Sequence, residues 1–168
     1  MTHDTLPELV SHWASERPDA VWMRDLLPEG SDDYTWAEAN AQINALAAML
    51  ESQFGHGEKM VVLSRNRAHW VLADMAIITS GNVQVSLFTT LPGNTAEYIF
   101  NLTETKVVFV GETSNWDQVQ PVLPEGVLLI TLPGVELAEP HLKWDDLLLE
   151  WQGKKPSYQP RPVSYTHL

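Results

Sequence analysis

The sequence predicts an α/β domain built on a mostly parallel sheet flanked by helices. Two observations carry that expectation. Short, mainly apolar runs recur at Met60–Ser64, Val83–Phe88, Lys106–Val110 and Val127–Leu132. Strands of that kind are buried on both faces, as in parallel sheets covered by helices. Between the runs lie segments with helical spacing, so strand and helix alternate, and right-handed crossovers then restrict the topology.

The elements follow in order. Leu6–Ser15 reads as a short amphipathic helix with Leu6, Leu9, Val10 and Trp13 on one face, ended by Arg17-Pro18-Asp19. Ala20–Leu27 reads as a strand, Pro28–Asp33 as turn chemistry, and Tyr34-Thr35-Trp36 as a return to extended backbone, which makes a small hairpin. Thr35-Trp36-Ala37-Glu38 has capping-box spacing, in which Thr and Glu satisfy each other's free backbone N–H groups. Ile43, Leu46, Ala47, Leu50 and Phe54 continue that helix, and Gly55 and Gly57 stop it. Asn66–Ser80 is an expected helix, apolar on most faces, with Asn66 as its cap. Asn94–Thr103 is a second, with Asn94 and Glu97 again at capping-box spacing. Asn115–Val122 and Trp144–Trp151 are shorter helices. From Gly153 the chain turns polar and proline-rich, with Pro156, Pro160 and Pro162. The expected organisation is a domain over 1–152, a linker over 153–162 and a non-native tail over 163–168.

Charge and composition narrow the partners. The 22 acidic residues outnumber the 10 basic ones, for a net charge of -12. Nucleic-acid backbones are disfavoured, because phosphate contact needs clustered Lys and Arg. Docking on anionic lipid through this segment is disfavoured for the same reason. Cysteine is absent, which removes disulfides, thiolate nucleophiles and zinc–thiolate sites. The start lacks a basic region followed by an apolar one, so no signal peptide is read, and no apolar stretch approaches the roughly 20 residues that span a bilayer. The expected setting is cytoplasmic, with peripheral association at the inner membrane as a variant.

The chain carries few recognisable chemical motifs. No G-x-G-x-x-G, no G-x-x-x-x-G-K-[ST] and no G-x-S-x-G occurs, and the six histidines are scattered away from metal-ligand spacing. Asn101-Leu102-Thr103 matches a glycosylation acceptor but lies in an expected helix. Three local features stand out. The turn Ser64-Arg65-Asn66-Arg67 joins a strand's carboxyl end to a helix start, where free N–H groups and two arginines suit an anion. Its plainer reading is a helix cap with solvated arginines. Asp74 sits in an apolar helix, either as a buried functional carboxylate or as the helix's wet edge. Of the seven tryptophans, Trp36 and Trp70 read as core or core rim, and Trp144 and Trp151 share a face of the last helix.

A family resemblance runs through these elements in order. Arg17-Pro18-Asp19-Ala20 and Tyr34-Thr35-Trp36-Ala37-Glu38 resemble the opening of acyl-CoA synthetases, the adenylate-forming enzymes. Asn66-Arg67-Ala68-His69-Trp70 resembles that family's Asn-x-x-x-Trp helix start. Gly81-Asn82-Val83-Gln84-Val85-Ser86-Leu87 resembles its Gly-x-Val-x-Val-Pro-Leu, with Ser86 in place of proline. Thr89-Thr90-Leu91, Glu97-Tyr98-Ile99 and Lys106–Val110 are similar to the stretches that follow. Asn115-Trp116-Asp117 and Trp144-Asp145-Asp146-Leu147 are most similar to bacterial long-chain fatty acid–CoA ligases. The likeness covers residues 6 to about 160.

That resemblance implies the N-terminal subdomain of the adenylate-forming synthetase fold, incomplete. It implies a parent enzyme using ATP, Mg²⁺ and coenzyme A. A fatty carboxylate attacks the α-phosphate of ATP, pyrophosphate leaves, and the thiol of coenzyme A then displaces AMP. The family's phosphate loop, its aromatic-Gly-x-Thr-Glu motif, its ribose-binding aspartate and its C-terminal lysine all lie beyond this stretch. No catalytic, cofactor-binding or metal residue is therefore assigned here, and the fragment alone is expected to be inactive. Val163–Leu168 departs from the family pattern, hence the expectation of a non-native tail. A homodimer is allowed. Two other readings remain open: a stand-alone interaction module that keeps the fold without catalysis, and a flavodoxin-like nucleotide-binding domain that uses the Ser64–Arg67 turn.

Overall fold

A computed structural model describes residues 5–159. Its centre is a five-stranded sheet of β3 (Lys59–Leu63), β4 (Val83–Leu87), β5 (Val107–Val110), β6 (Leu128–Thr131) and β7 (Leu142–Lys143), in the order β4-β3-β5-β6-β7. Every neighbouring pair is parallel. An antiparallel hairpin, β1 (Val21–Leu26) with β2 (Ser31–Thr35), stands beside it. The helices are α1 (Leu6–Glu16), α2 (Trp36–Phe54), α3 (Ala68–Thr79), α4 (Gly93–Thr103), α5 (Trp116–Val119) and α6 (Trp144–Glu150).

The apolar runs do what their composition demands. Met60, Val61, Val62 and Leu63 of β3 and Val107, Val108 and Phe109 of β5 are fully buried. Side chains alternate across a strand. Met60, Val62, Val107 and Phe109 therefore enter one core with α2, α3 and α6, while Val61, Leu63, Val108 and Val110 enter a second core under α4 and α5. A sheet covered on both sides needs apolar residues at every position, which is why β3, β5 and β6 read as continuous runs, whereas the edge strand β4 carries Gln84 and Ser86 and is partly exposed.

Local chemistry sets most boundaries. At α2 the capping box forms as the spacing predicts: the Glu38 N–H donates to Thr35 Oγ1 at 3.2 Å, and the Thr35 N–H donates to Glu38 Oε2 at 3.0 Å. Gly55, at φ 71°, ends the helix. A second capping box, Thr5 with Glu8, starts α1.

Several expectations are corrected. The hairpin turn is shorter than Pro28–Asp33. Ser31–Asp33 belong to β2, held by the cross-strand pair Arg24–Asp33 at 2.6 Å, and Gly30 turns the chain at φ 87°. In α1 only Pro7 and Val10 are buried, and Leu6 and Leu9 are exposed, because the helix meets α2 and α3 along a narrow stripe. Helix α3 starts at Ala68, so Asn66 is not its cap. Helix α4 starts at Gly93 after Pro92, and no side chain caps it. There the Thr95 and Ala96 N–H groups both donate to the Pro92 carbonyl at 3.0 Å, so Asn94 falls inside the first turn and its capping box with Glu97 does not form. Residues 120–122 tighten into a 3₁₀ turn after α5. Strand β7 was not expected; its two residues pair with Ile130 and Thr131. Helix α6 ends at Glu150 with Trp151 as its cap. The expected tail over 163–168, and residues 160–162 of the expected linker, lie outside the described residues.

Candidate functional site

In an open parallel sheet, ligands bind outside the strands' carboxyl ends, where the strand order reverses. Here β3 leads outward to β4, and the chain then crosses back to β5. The reversal point lies between the ends of β3 and β5, and the sequence places the Ser64–Arg67 turn and Gly111-Glu112 there.

The structure closes that crevice with its own groups. The Gly111 N–H donates to the Leu63 carbonyl at 2.9 Å, and the Arg65 N–H donates to the Glu112 carbonyl at 2.9 Å. Arg65 Nε lies 2.6 Å from Glu112 Oε2. Gly111 is pressed against Ser64 so closely that a Cβ at position 111 would collide with the Ser64 side chain. Ser64 is buried and turns its hydroxyl onto the Arg65 carbonyl at 2.9 Å.

The start of α3 is also filled. The Ala68 N–H donates to Asp25 Oδ1 at 2.8 Å. Asp25 comes from β1, so the hairpin supplies the anion that a helix N-terminus favours. Arg67 is committed as well. Its side chain is only 17% exposed; Nη1 donates to the Pro133 carbonyl at 2.9 Å, and Nε lies 4.0 Å from Asp25 Oδ2. Arg67 is enclosed and fully engaged, whereas Arg65 is 63% exposed and pairs with Glu112 at the surface. The expected Asn66 cap is thereby corrected to Asp25, the expected solvated arginine holds for Arg65 but not for Arg67, and the N–H groups of Arg65 and Ala68 that would meet an anion are taken by Glu112 and Asp25.

Arg67 organises a buried polar cluster that the spacing alone did not reveal. Its Nη2 lies 3.2 Å from His69 Nδ1. A guanidinium only donates, so Nδ1 accepts and the imidazole proton sits on Nε2. His69 is 6% exposed and stands edge-on between Tyr34 at 5.3 Å and Trp144 at 5.2 Å. Burial, aided by the Arg67 charge, pushes its pKa from 6.5 down to about 4, with Asp25 opposing. Burial also raises the Tyr34 hydroxyl's pKa. Trp144 is buried, and its Nε1 donates to Gln42 Oε1 at 3.1 Å. His69 is neutral at pH 7 and locked by its neighbours, which suits it to hold α3, the hairpin and α6 together.

The remaining sequence candidates fall elsewhere. Asp74 is half-buried on α3, and burial raises its carboxyl above the usual range. Trp36 is half-buried and stacks on Trp22 at 4.5 Å and 9°. Trp70 and Trp151 pack partly buried against the first core. Among the described residues, no group of three His, Cys, Asp or Glu side chains is arranged to hold a metal ion. Likewise no described helix is long and apolar enough to cross a membrane.

Known proteins place this architecture. The fatty acyl-CoA synthetase A of Dictyostelium discoideum is 34% identical over 91 residues, 51% of this chain and 14% of that protein. A long-chain-fatty-acid–CoA ligase of Mycobacterium bovis is 28% identical over 114 residues, 67% of this chain and 19% of that protein. Among solved structures, the acetoacetyl-CoA synthetase of Streptomyces lividans superposes with a TM-score of 0.78 at 22% identity, over 93% of this chain and 26% of that one. The chain thus spans between a seventh and about a quarter of the length of these three proteins. The fold is the α/β arrangement found in adenylate-forming CoA ligases. Residues 10–165 match the family described as AMP-binding enzyme, and the chain belongs to that family.

Proposed function

We propose that this chain is the N-terminal part of a long-chain fatty acid–CoA ligase. The longer polypeptide condenses a fatty acid with ATP and then passes the acyl group to coenzyme A. The family match over residues 10–165, joined to relatives several times longer, carries this reading. The long-chain assignment draws on the long-chain-fatty-acid–CoA ligase of Mycobacterium bovis, to which this chain is similar.

The described residues do not themselves fit ATP and Mg²⁺. Arg65 is paired with Glu112, Arg67 with Asp25 and Pro133, and the crevice between β3 and β5 is closed. Phosphoryl chemistry needs cations and N–H groups free to converge on the phosphates. Those groups must come from other parts of the longer polypeptide, and this domain serves as a scaffold. Its surface agrees with that role. Phe88 is 80% exposed, and Val83, Tyr98, Leu102 and Leu149 are also exposed. Open apolar side chains on the edge strand and outer helices are suited to contact with further chain.

The test compares the 168-residue chain with the full open reading frame. Pyrophosphate release is measured with ATP, Mg²⁺, coenzyme A and a C16 fatty acid. Turnover only by the longer polypeptide is expected. Turnover by the 168-residue chain alone would overturn the scaffold assignment. A longer polypeptide that activates other carboxylates but no fatty acid would overturn the substrate assignment. A stop codon after Leu168 would sink both and leave the interaction-module reading.

A further inference from the structure

Residues 153–159, read from sequence as a linker, are fastened to the domain at three places. The Ser157 N–H donates to Glu51 Oε2 at 2.6 Å, and the Ser157 hydroxyl donates to Glu51 Oε1 at 2.5 Å. Tyr158 lies 4.8 Å from the His56 ring, at 41° to it. The same tyrosine ring covers Gly81, where a Cβ would lie 2.8 Å from Cδ2. Upstream, Lys154 Nζ sits 4.0 Å over the Trp151 ring.

These contacts join one short segment to three separate elements: the last turn of α2 through Glu51, the loop after it through His56, and the turn before β4 through Gly81. His56 stands beside the same carboxylate, its Nε2 3.6 Å from Glu51 Oε1, with Nδ1 donating to the Ser80 carbonyl at 3.0 Å. Although burial works against it, the two bonds from Ser157 keep the Glu51 carboxyl below its usual range, so the acceptor is ionised at neutral pH. Hydrogen bonds to an ionised acceptor are the strong ones. The segment also lines a groove of about 990 Å³, together with Ser11 of α1 and with Asn40, Asn44 and Thr79.

We propose that residues 153–159 are a latched strap rather than a free linker, with Glu51 as the catch and the Gly81 surface as the seat for Tyr158. Closed, the strap lines the groove and fixes where the polypeptide leaves the domain, beside the start of β4. Released, it opens the groove along α1 and frees the outgoing chain to reorient. The strap depends only on groups within the described chain and not on the enzyme reading.

The Lys154–Lys155 peptide bond reports the latch. Trypsin must draw several residues on each side of a bond into its site, so cleavage there requires Ser157 and Tyr158 to let go. The bond Lys155–Pro156 resists the protease, which leaves one cut in the strap. The 168-residue chain is digested at low trypsin, and the appearance of the 1–154 fragment is followed by mass spectrometry. Losing one charge-assisted bond is worth about a tenfold rise in the open population, and the cleavage rate follows that population. Ser157→Ala, Glu51→Ala and Tyr158→Ala are each expected to raise the rate about tenfold or more with the urea midpoint unchanged. Ser157 and Tyr158 lie outside both cores, so their variants fold even if Glu51→Ala does not. An unchanged rate in Ser157→Ala and Tyr158→Ala overturns the latch. So does a faster rate matched by an equal loss of global stability, which would mean that the bond is cut only through unfolding.

Discussion

Lowering the pH from 7 to 5 is expected to weaken folding by about 2 kcal/mol through His69 alone. The imidazole is enclosed by Tyr34, Trp144 and Arg67, and its folded pKa is about 4 against 6.5 for the free side chain. A base with a depressed folded pKa leaves the unfolded state to take up the proton first. Well above pH 6.5 both states are neutral and stability is flat. Between pH 6.5 and 4 the unfolded chain binds a proton that the native state refuses, so stability falls as pH falls. Each unit of difference is worth about 1.4 kcal/mol, so the full loss is about 3.5 kcal/mol, reached below pH 4, and about 2 kcal/mol of it has appeared by pH 5. The carboxylates held low by partners, Glu38, Glu51, Asp33 and Glu136, lose their contribution only as pH falls through their own depressed range, below this window. Asp74, raised by burial, acts with the opposite sign. Urea unfolding followed by tryptophan fluorescence at pH 7 and pH 5 gives the difference directly. His69→Gln keeps an acceptor for Arg67 and removes the titration, so most of its pH dependence over this range should vanish. A wild-type difference below about 0.5 kcal/mol, or an equal slope in His69→Gln, would refute the argument.

Three further substitutions probe the scaffold. Gly111→Ala drives a methyl group into Ser64 and toward Leu132, and should cost about 1–3 kcal/mol in urea unfolding. Asp25→Ala removes the cap of α3 and one partner of Arg67; a loss of about 1–2 kcal/mol is expected, and a neutral result would mean that water replaces the carboxylate fully. Glu104 ends α4 in the left-handed region at φ 50°, where glycine carries no steric cost. Glu104→Gly should therefore raise the thermal midpoint, by an amount equal to about 0.5–1 kcal/mol.

The sequence by itself determined the class of this fold and most of its elements. Continuous apolar runs can be satisfied only by a sheet covered on both faces, and the Thr35–Glu38 box and Gly55 act within a few residues of themselves. Such signals are local, so they can be read locally. The family was legible for the same reason, since its motifs sit in order along the chain. The fate of the Ser64–Arg67 turn was not. Whether a helix N-terminus with two arginines receives a phosphate or a side chain depends on what the fold brings to it, and Asp25, Glu112 and Pro133 arrive from 42, 47 and 66 residues away in the chain. The burial of His69 between the hairpin and α6, and the clasp of Ser157 on Glu51, have the same origin. Charges and hydrogen-bond donors are visible in a sequence. Their partners are chosen only when packing sets distant segments within about 3 Å of one another.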